Sequence, residues 1–202
     1  MIWGAMVGLA ALPLVAGAAR RLRRAVAHTT LLGWIALGVG CILAGVATAA
    51  IRSPAAAATF AVVLAAVLTA AAIDATEQRL PDVLTIGAGL VAFATLSAVT
   101  LTTGAGSPWR ALACGSIFGG WILAGALLVR DGYGLGDVKL AASLGILLGW
   151  ASWYTLAVGI LVSQIAVTAL LLVARGRGQQ RAALGPAFAA GALAGMVALA
   201  AA

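Results

Sequence analysis

Apolar runs near the length of a bilayer span follow one another along the whole chain, separated by short polar connections. A membrane helix needs roughly 20 apolar residues, and the pattern predicts eight segments. They cover about residues 2–19, 31–51, 55–73, 83–103, 110–129, 138–152, 153–174 and 184–202. Pro54 marks one boundary, because a proline disfavours helix at the residue before it. The sixth segment is short and reaches only about 22 Å at 1.5 Å per residue. It borrows length from the turn at Trp150 to Trp153, sits where the bilayer is thinned, or is re-entrant. The expected fold is therefore all-α: a polytopic membrane helical bundle of about eight transmembrane helices, forming one domain over residues 1–202.

Composition agrees with the pattern. The chain has 202 residues, is 64% hydrophobic and 8% charged, and has a mean hydropathy of +1.14. A soluble domain carries about 25% charged residues, so this is an integral membrane protein whose first partner is the lipid bilayer. The net charge of +7 raises the question of nucleic acid. The arginines, however, sit in short loops between apolar segments, as the positive-inside rule expects.

With the N-terminus outside, eight crossings place Arg20, Arg21, Arg23, Arg24, Arg79, Arg130, Lys139, Arg175, Arg177 and Arg181 inside, and only Arg52 and Arg110 outside. A re-entrant sixth segment moves Arg175, Arg177 and Arg181 outside and weakens that bias. Eight full crossings are favoured. The first segment is followed, not preceded, by its arginines, which predicts a permanent helix and not a cleaved signal peptide.

Several chemistries are disfavoured. Cys41 and Cys114 lie inside apolar segments and form no Cys-x-x-Cys pair, so neither a zinc site nor a disulfide framework is indicated. The single histidine, His28, sits among the arginines of the first loop and completes neither a His-Glu-x-x-His motif nor a Ser-His pair. No metal or cofactor is expected. Gly-x-x-x-Gly spacings at Gly4/Gly8, Gly115/Gly119, Gly145/Gly149 and Gly191/Gly195 suit close helix packing within the chain. Trp3, Trp109, Trp150 and Trp153 gather near the outer surface, as an interfacial belt does.

What remains is acid chemistry. Only five acidic residues occur, and three of them fall in the connection from Asp74 to Asp82. Asp74 follows the third segment directly, and Asp137 precedes the sixth within Gly132-Tyr133-Gly134-Leu135-Gly136-Asp137-Val138-Lys139-Leu140. Two crossings lie between them, so both carboxylates return to the same membrane face, and the arginines make that face cytoplasmic. Each acid alone reads as solvated at the interface. As a pair at one depth they can share a proton. One then serves as general base on a water while the other, protonated, polarises a carbonyl oxygen. Gly134 and Gly136 leave room for an extended substrate backbone to approach Asp137.

Asp74 with Arg79-Leu80-Pro81-Asp82, followed by Gly134-Leu135-Gly136-Asp137-Val138-Lys139-Leu140, resembles the type IV prepilin peptidases, membrane aspartic proteases of the Gly-x-Gly-Asp class. Gly185-Pro186-Ala187-Phe188 is a weaker match to a Gly-Pro-Phe pattern late in that family. The likeness covers about residues 55–195. It implies that Asp74 and Asp137 are the catalytic aspartates and that Arg79, Pro81, Gly134, Gly136 and Lys139 support them. It also implies a prepilin or pseudopilin substrate whose basic leader is cut after a glycine at the cytoplasmic face of the cell membrane.

Bifunctional members of that family carry a cytosolic insertion, often with two Cys-x-x-Cys pairs, and also N-methylate their product. The loop from Arg20 to Thr30 is too short for such a domain, which suggests the peptidase-only form. The presenilin and signal-peptide-peptidase class shares Gly-x-Gly-Asp, but typically has Tyr-Asp where this chain has Ile73-Asp74. Lys139 either favours ionisation of the pair or anchors to anionic lipid. Glu77, Asp82 and Asp131 either attract a basic leader or are simply solvated. A proton-coupled transporter is the alternative from another class, but it expects acids deeper in the spans and repeated halves.

Overall fold

A computed structural model describes residues 51, 53–128, 133–178 and 182–201, apart from the side chains of Thr76 and Glu77. Among them are six α-helices and no strands. The helices are α1 (Pro54–Glu77), α2 (Asp82–Thr103), α3 (Pro108–Leu128), α4 (Leu135–Ala151), α5 (Trp153–Gly176) and α6 (Gly185–Ala201). Each corresponds to one of the last six predicted segments. The first two segments, with Trp3, Gly4/Gly8, His28 and Cys41, lie outside the described residues.

Four helices are long and apolar enough to cross a membrane: α2, α3, α5 and the Pro54–Ala75 part of α1. The chain is a helical membrane bundle. Its boundaries follow local chemistry. Ser53 caps α1 by accepting from the Ala56 N–H at 3.4 Å, with Pro54 in the first turn, where its missing N–H costs nothing. α1 ends at Gln78, whose left-handed φ of 51° lets its N–H reach the Asp74 carbonyl. Pro81 then caps α2.

The polar connection is thus shorter than the sequence suggests. Asp74 lies in the last turns of α1, not after it, because Ala75 to Glu77 continue the helical hydrogen bonding before Gln78 turns the chain. Asp137 likewise falls within the first turn of α4 instead of preceding it.

α4 explains the short sixth segment. At 17 residues it spans only about 25 Å, yet it packs against each of the other five described helices. Leu140, Leu144, Leu147 and Leu148 are fully buried, as expected of a helix that is apolar all round. Protein surrounds α4, so its length need not match a bilayer.

Its C-terminus reaches the far end of the bundle. The Trp150 indole N–H donates to Thr100 Oγ1 at 2.9 Å, and the Trp150 ring lies 6.1 Å from Phe60 near the start of α1. α4 therefore runs from the Asp137 end of the bundle to the end that holds Thr100 and Phe60. Arg110, at the start of α3, caps its last turn. Its guanidinium donates to the carbonyls of Gly149, Trp150 and Ala151 at 2.7, 2.5 and 2.8 Å. These are carbonyls that a helix end leaves without intrahelical partners.

Trp150 is consequently a core residue, 5% exposed, and not part of an aromatic belt. Trp109 and Trp153 are exposed as expected.

The Gly-x-x-x-Gly spacings are used inside the chain. A side chain at Gly145 would meet the Cys114 carbonyl oxygen at 2.5 Å and Gly115 Cα at 2.8 Å, and one at Gly119 would meet Ala142 Cβ at 2.9 Å. These glycines bring α3 against α4 at backbone distance. Gly191 and Gly195 do the same for α6 against α5 and α4. Cys114 is buried in the α3–α4 contact as a free thiol.

Candidate active site

The alternating helix directions bring the C-termini of α1, α3 and α5 and the N-termini of α2, α4 and α6 to one end of the bundle. Asp74 and Asp137 both lie there, 6% and 7% exposed, and the charge of Asp74 acts on Asp137. Two buried carboxylates in mutual electrostatic range are the central feature of this end.

Each is held through one oxygen by a backbone N–H at a helix N-terminus, where the unpaired amides and the helix dipole favour negative charge. Asp137 sits at the third position of α4 and reaches back, so that the Gly134 N–H donates to its Oδ2 at 2.8 Å. That is the carboxylate half of a capping box. Asp74 caps a different helix: the Gly185 N–H donates to its Oδ2 at 2.8 Å.

The sequence at the start of α6 suits this role. Pro186 has no N–H to satisfy, and the Ala187 N–H bonds the Leu184 carbonyl at 3.0 Å, leaving the Gly185 amide for Asp74. A side chain at Gly185 would stand 3.0 Å from both Ala71 Cα and Asp74 Oδ2. The Leu184 backbone adds a second hydrogen bond to the Asp74 carboxylate.

The two motif loops are tied to each other. A side chain at Gly136 would lie 2.9 Å from Leu80 Cβ, so Leu80 of the α1–α2 loop rests on the glycine one residue before Asp137. Lys139 Nζ pairs with Asp82 Oδ1 at 2.7 Å. One turn deeper, the Ser143 hydroxyl donates to the Thr85 carbonyl at 2.7 Å. α2 and α4 are thus stitched along one line beside Asp137.

The expected supporting residues separate accordingly. Gly134 and Gly136 are at the site, Gly134 through its amide and Gly136 as the seat for Leu80. Pro81 begins α2, and its carbonyl accepts from the Leu84 and Thr85 N–H groups. Lys139 pairs with Asp82 at the exposed edge of this end. Arg79 is exposed in the loop, and no described hydrogen bond or ion pair joins it to either carboxylate. Asp131 lies outside the described residues.

Sequence reasoning missed two contributors, the Gly185 amide and the Leu80 side chain. Gly185-Pro186 carried a signal, since a glycine followed by a residue lacking N–H leaves one well-placed donor. Among the described residues, no group of three or more potential metal-ligating side chains comes together.

This arrangement can do acid–base work on a polar bond brought to the end of the bundle. The model of the type IV leader peptidase family matches residues 61–201. The chain belongs to that family. The match runs from the middle of α1 to the end of α6 and so contains both aspartates with the elements that position them. No curated protein and no solved structure matches the chain. As a member of the type IV leader peptidase family, the protein is a peptidase with membrane helices.

Proposed function

We propose that this peptidase is a membrane aspartic endopeptidase that removes the basic leader from type IV prepilin or pseudopilin subunits at the cytoplasmic face, with Asp74 and Asp137 as its catalytic pair. The observation that carries the proposal is the placement of these two carboxylates, both buried at one end of the bundle and each with Oδ2 held by a backbone amide. Such anchoring fixes the orientation of each carboxylate, as a positioned acid or base requires.

In this mechanism one carboxylate is ionised and the other protonated. The ionised one takes a proton from a water molecule as the water oxygen bonds to the scissile carbonyl carbon. The protonated one gives its proton to the carbonyl oxygen as the C–O π bond opens. As the tetrahedral diol collapses, the ionised carboxylate takes a hydroxyl proton and the carbonyl re-forms, while the other carboxyl gives its proton to the amine nitrogen as the C–N bond breaks. The pair ends with one proton, as it began.

The charge bias supports the cytoplasmic assignment, since Arg79, Lys139, Arg175 and Arg177 lie at the carboxylate end and Arg110 at the other. We assign the chain to one membrane peptidase domain.

The test is a substrate with a short basic leader ending in glycine, followed by an apolar helix, incubated with the purified protein in lipid vesicles and analysed by mass spectrometry. A single cut after that glycine is expected. A cut within the apolar segment would replace this function with intramembrane proteolysis of the signal-peptide-peptidase kind, and no cut would contradict it.

A further inference from the structure

One polar side chain in the middle of an apolar helix has no part in the chemistry described so far. Gln164 lies halfway along α5, in a stretch from Leu156 to Leu172 that is otherwise aliphatic or small apart from the hydroxyls of Ser163 and Thr168. An amide at such depth is costly unless it is used. Its Nε2 donates to the Tyr133 hydroxyl at 3.5 Å, while its Oε1 is buried without a partner among the described residues. Tyr133 is one peptide unit from a catalytic contact, because the next residue is Gly134, whose N–H holds Asp137 Oδ2.

The Tyr133 ring is itself seated. A side chain at Gly125 of α3 would lie 2.9 Å from its Cε2, so the ring fills the space that this glycine leaves. Carbon contacts to α3 and a polar contact to α5 therefore fix Tyr133 from two sides. The peptide bond that follows it inherits that placement. No other described polar contact ties the Tyr133–Gly134 segment to α5.

We infer that Gln164 is a positioning residue, which holds the Tyr133 hydroxyl and through it keeps the Gly134 amide aimed at Asp137. This inference rests on the peptidase function proposed above for its catalytic consequence, but not for its structural one. Loosening the link leaves substrate binding intact and lets the Asp137 carboxylate rotate away from its working orientation. The loss is therefore in kcat and not in KM.

The test compares wild type with Gln164→Leu, Tyr133→Phe and the double variant in lipid nanodiscs, with two readouts. Hydrogen–deuterium exchange of the peptide covering residues 133–140 is expected to quicken about fivefold in either single variant, the scale of one net hydrogen bond. Cleavage of the leader substrate is expected to lose kcat by a similar factor at unchanged KM. The double variant should lose no more than either single one, because both remove the same link.

Tyr133→Phe keeps the ring packing and so guards against a simple folding defect in Gln164→Leu. Unchanged exchange in both single variants would overturn the inference whatever the activity. Faster exchange with unaltered kcat, or additive losses in the double variant, would also overturn it. If wild type cleaved nothing, the proposed function would fall, and the exchange rates alone would decide whether Gln164 holds the loop.

Discussion

The Gly185 N–H donates to Asp74 Oδ2 at 2.8 Å across 111 residues of chain. The bond joins the start of the last helix to the end of α1, and the space above Gly185 is already taken by Ala71 and Asp74. A methyl group there must push one of them aside. Gly185→Ala is expected to lower cleavage by roughly 100-fold, the scale of a misplaced catalytic group. The fold should lose only about 1–3 kcal/mol from overpacking. Thermal unfolding and initial cleavage rates on the same preparation check both numbers; equal rates in variant and wild type would remove Gly185 from the site.

Leu80 and Gly136 form a second such relationship, between the two motif loops. Gly136→Ala brings a methyl against Leu80 and should reduce cleavage about tenfold. Leu80→Ala, combined with it, should restore most of that loss, since residues in direct contact couple by roughly 0.5–3 kcal/mol. A double-mutant cycle on kcat/KM reads the coupling. Additive effects would show that the loops act separately.

Arg110 works at the opposite end of the bundle. Its three bonds to the carbonyls of Gly149, Trp150 and Ala151 terminate α4 just before the Ser152 turn into α5. Arg110→Leu is expected to cost about 3 kcal/mol, within the range for buried bonds to a charged donor. Arg110→Lys should recover only part of it, because an ammonium cannot span the three carbonyls as a guanidinium does. Chemical denaturation in mild detergent measures the difference, and identical stability in all three proteins would contradict the capping role.

Much of this architecture is legible from the pattern of apolar runs. Six predicted segments coincide with helices to within a few residues, because Pro54, Pro81 and the Ser152 turn punctuate the chain independently of its surroundings. The pairing of Asp74 with Asp137 also follows from counting crossings.

Helix ends were harder to place. Asp74 looks like a terminus in the sequence, yet the helix runs on to the left-handed Gln78. The partners of the site were harder still. The Asp74–Gly185 bond is a backbone contact between distant elements, and no residue type advertises a backbone amide. Lys139 illustrates the opposite case: its charge was obvious, but only the packing of α2 on α4 shows that Asp82 claims it. Trp150 likewise resembles an interfacial residue until Thr100 and Phe60 are found around it.

The central claim is that Asp74 and Asp137 together carry the reaction. The most direct measurement is cleavage of a leader-bearing substrate by Asp74→Asn and Asp137→Asn proteins in vesicles, alongside thermal unfolding of each. Asparagine preserves the shape of each side chain and an oxygen for the Gly185 or Gly134 amide, so both variants should fold. Each is expected to lose cleavage by about 10²–10⁴-fold or more, the worth of a positioned acid or base. Undiminished processing by either variant would contradict the account.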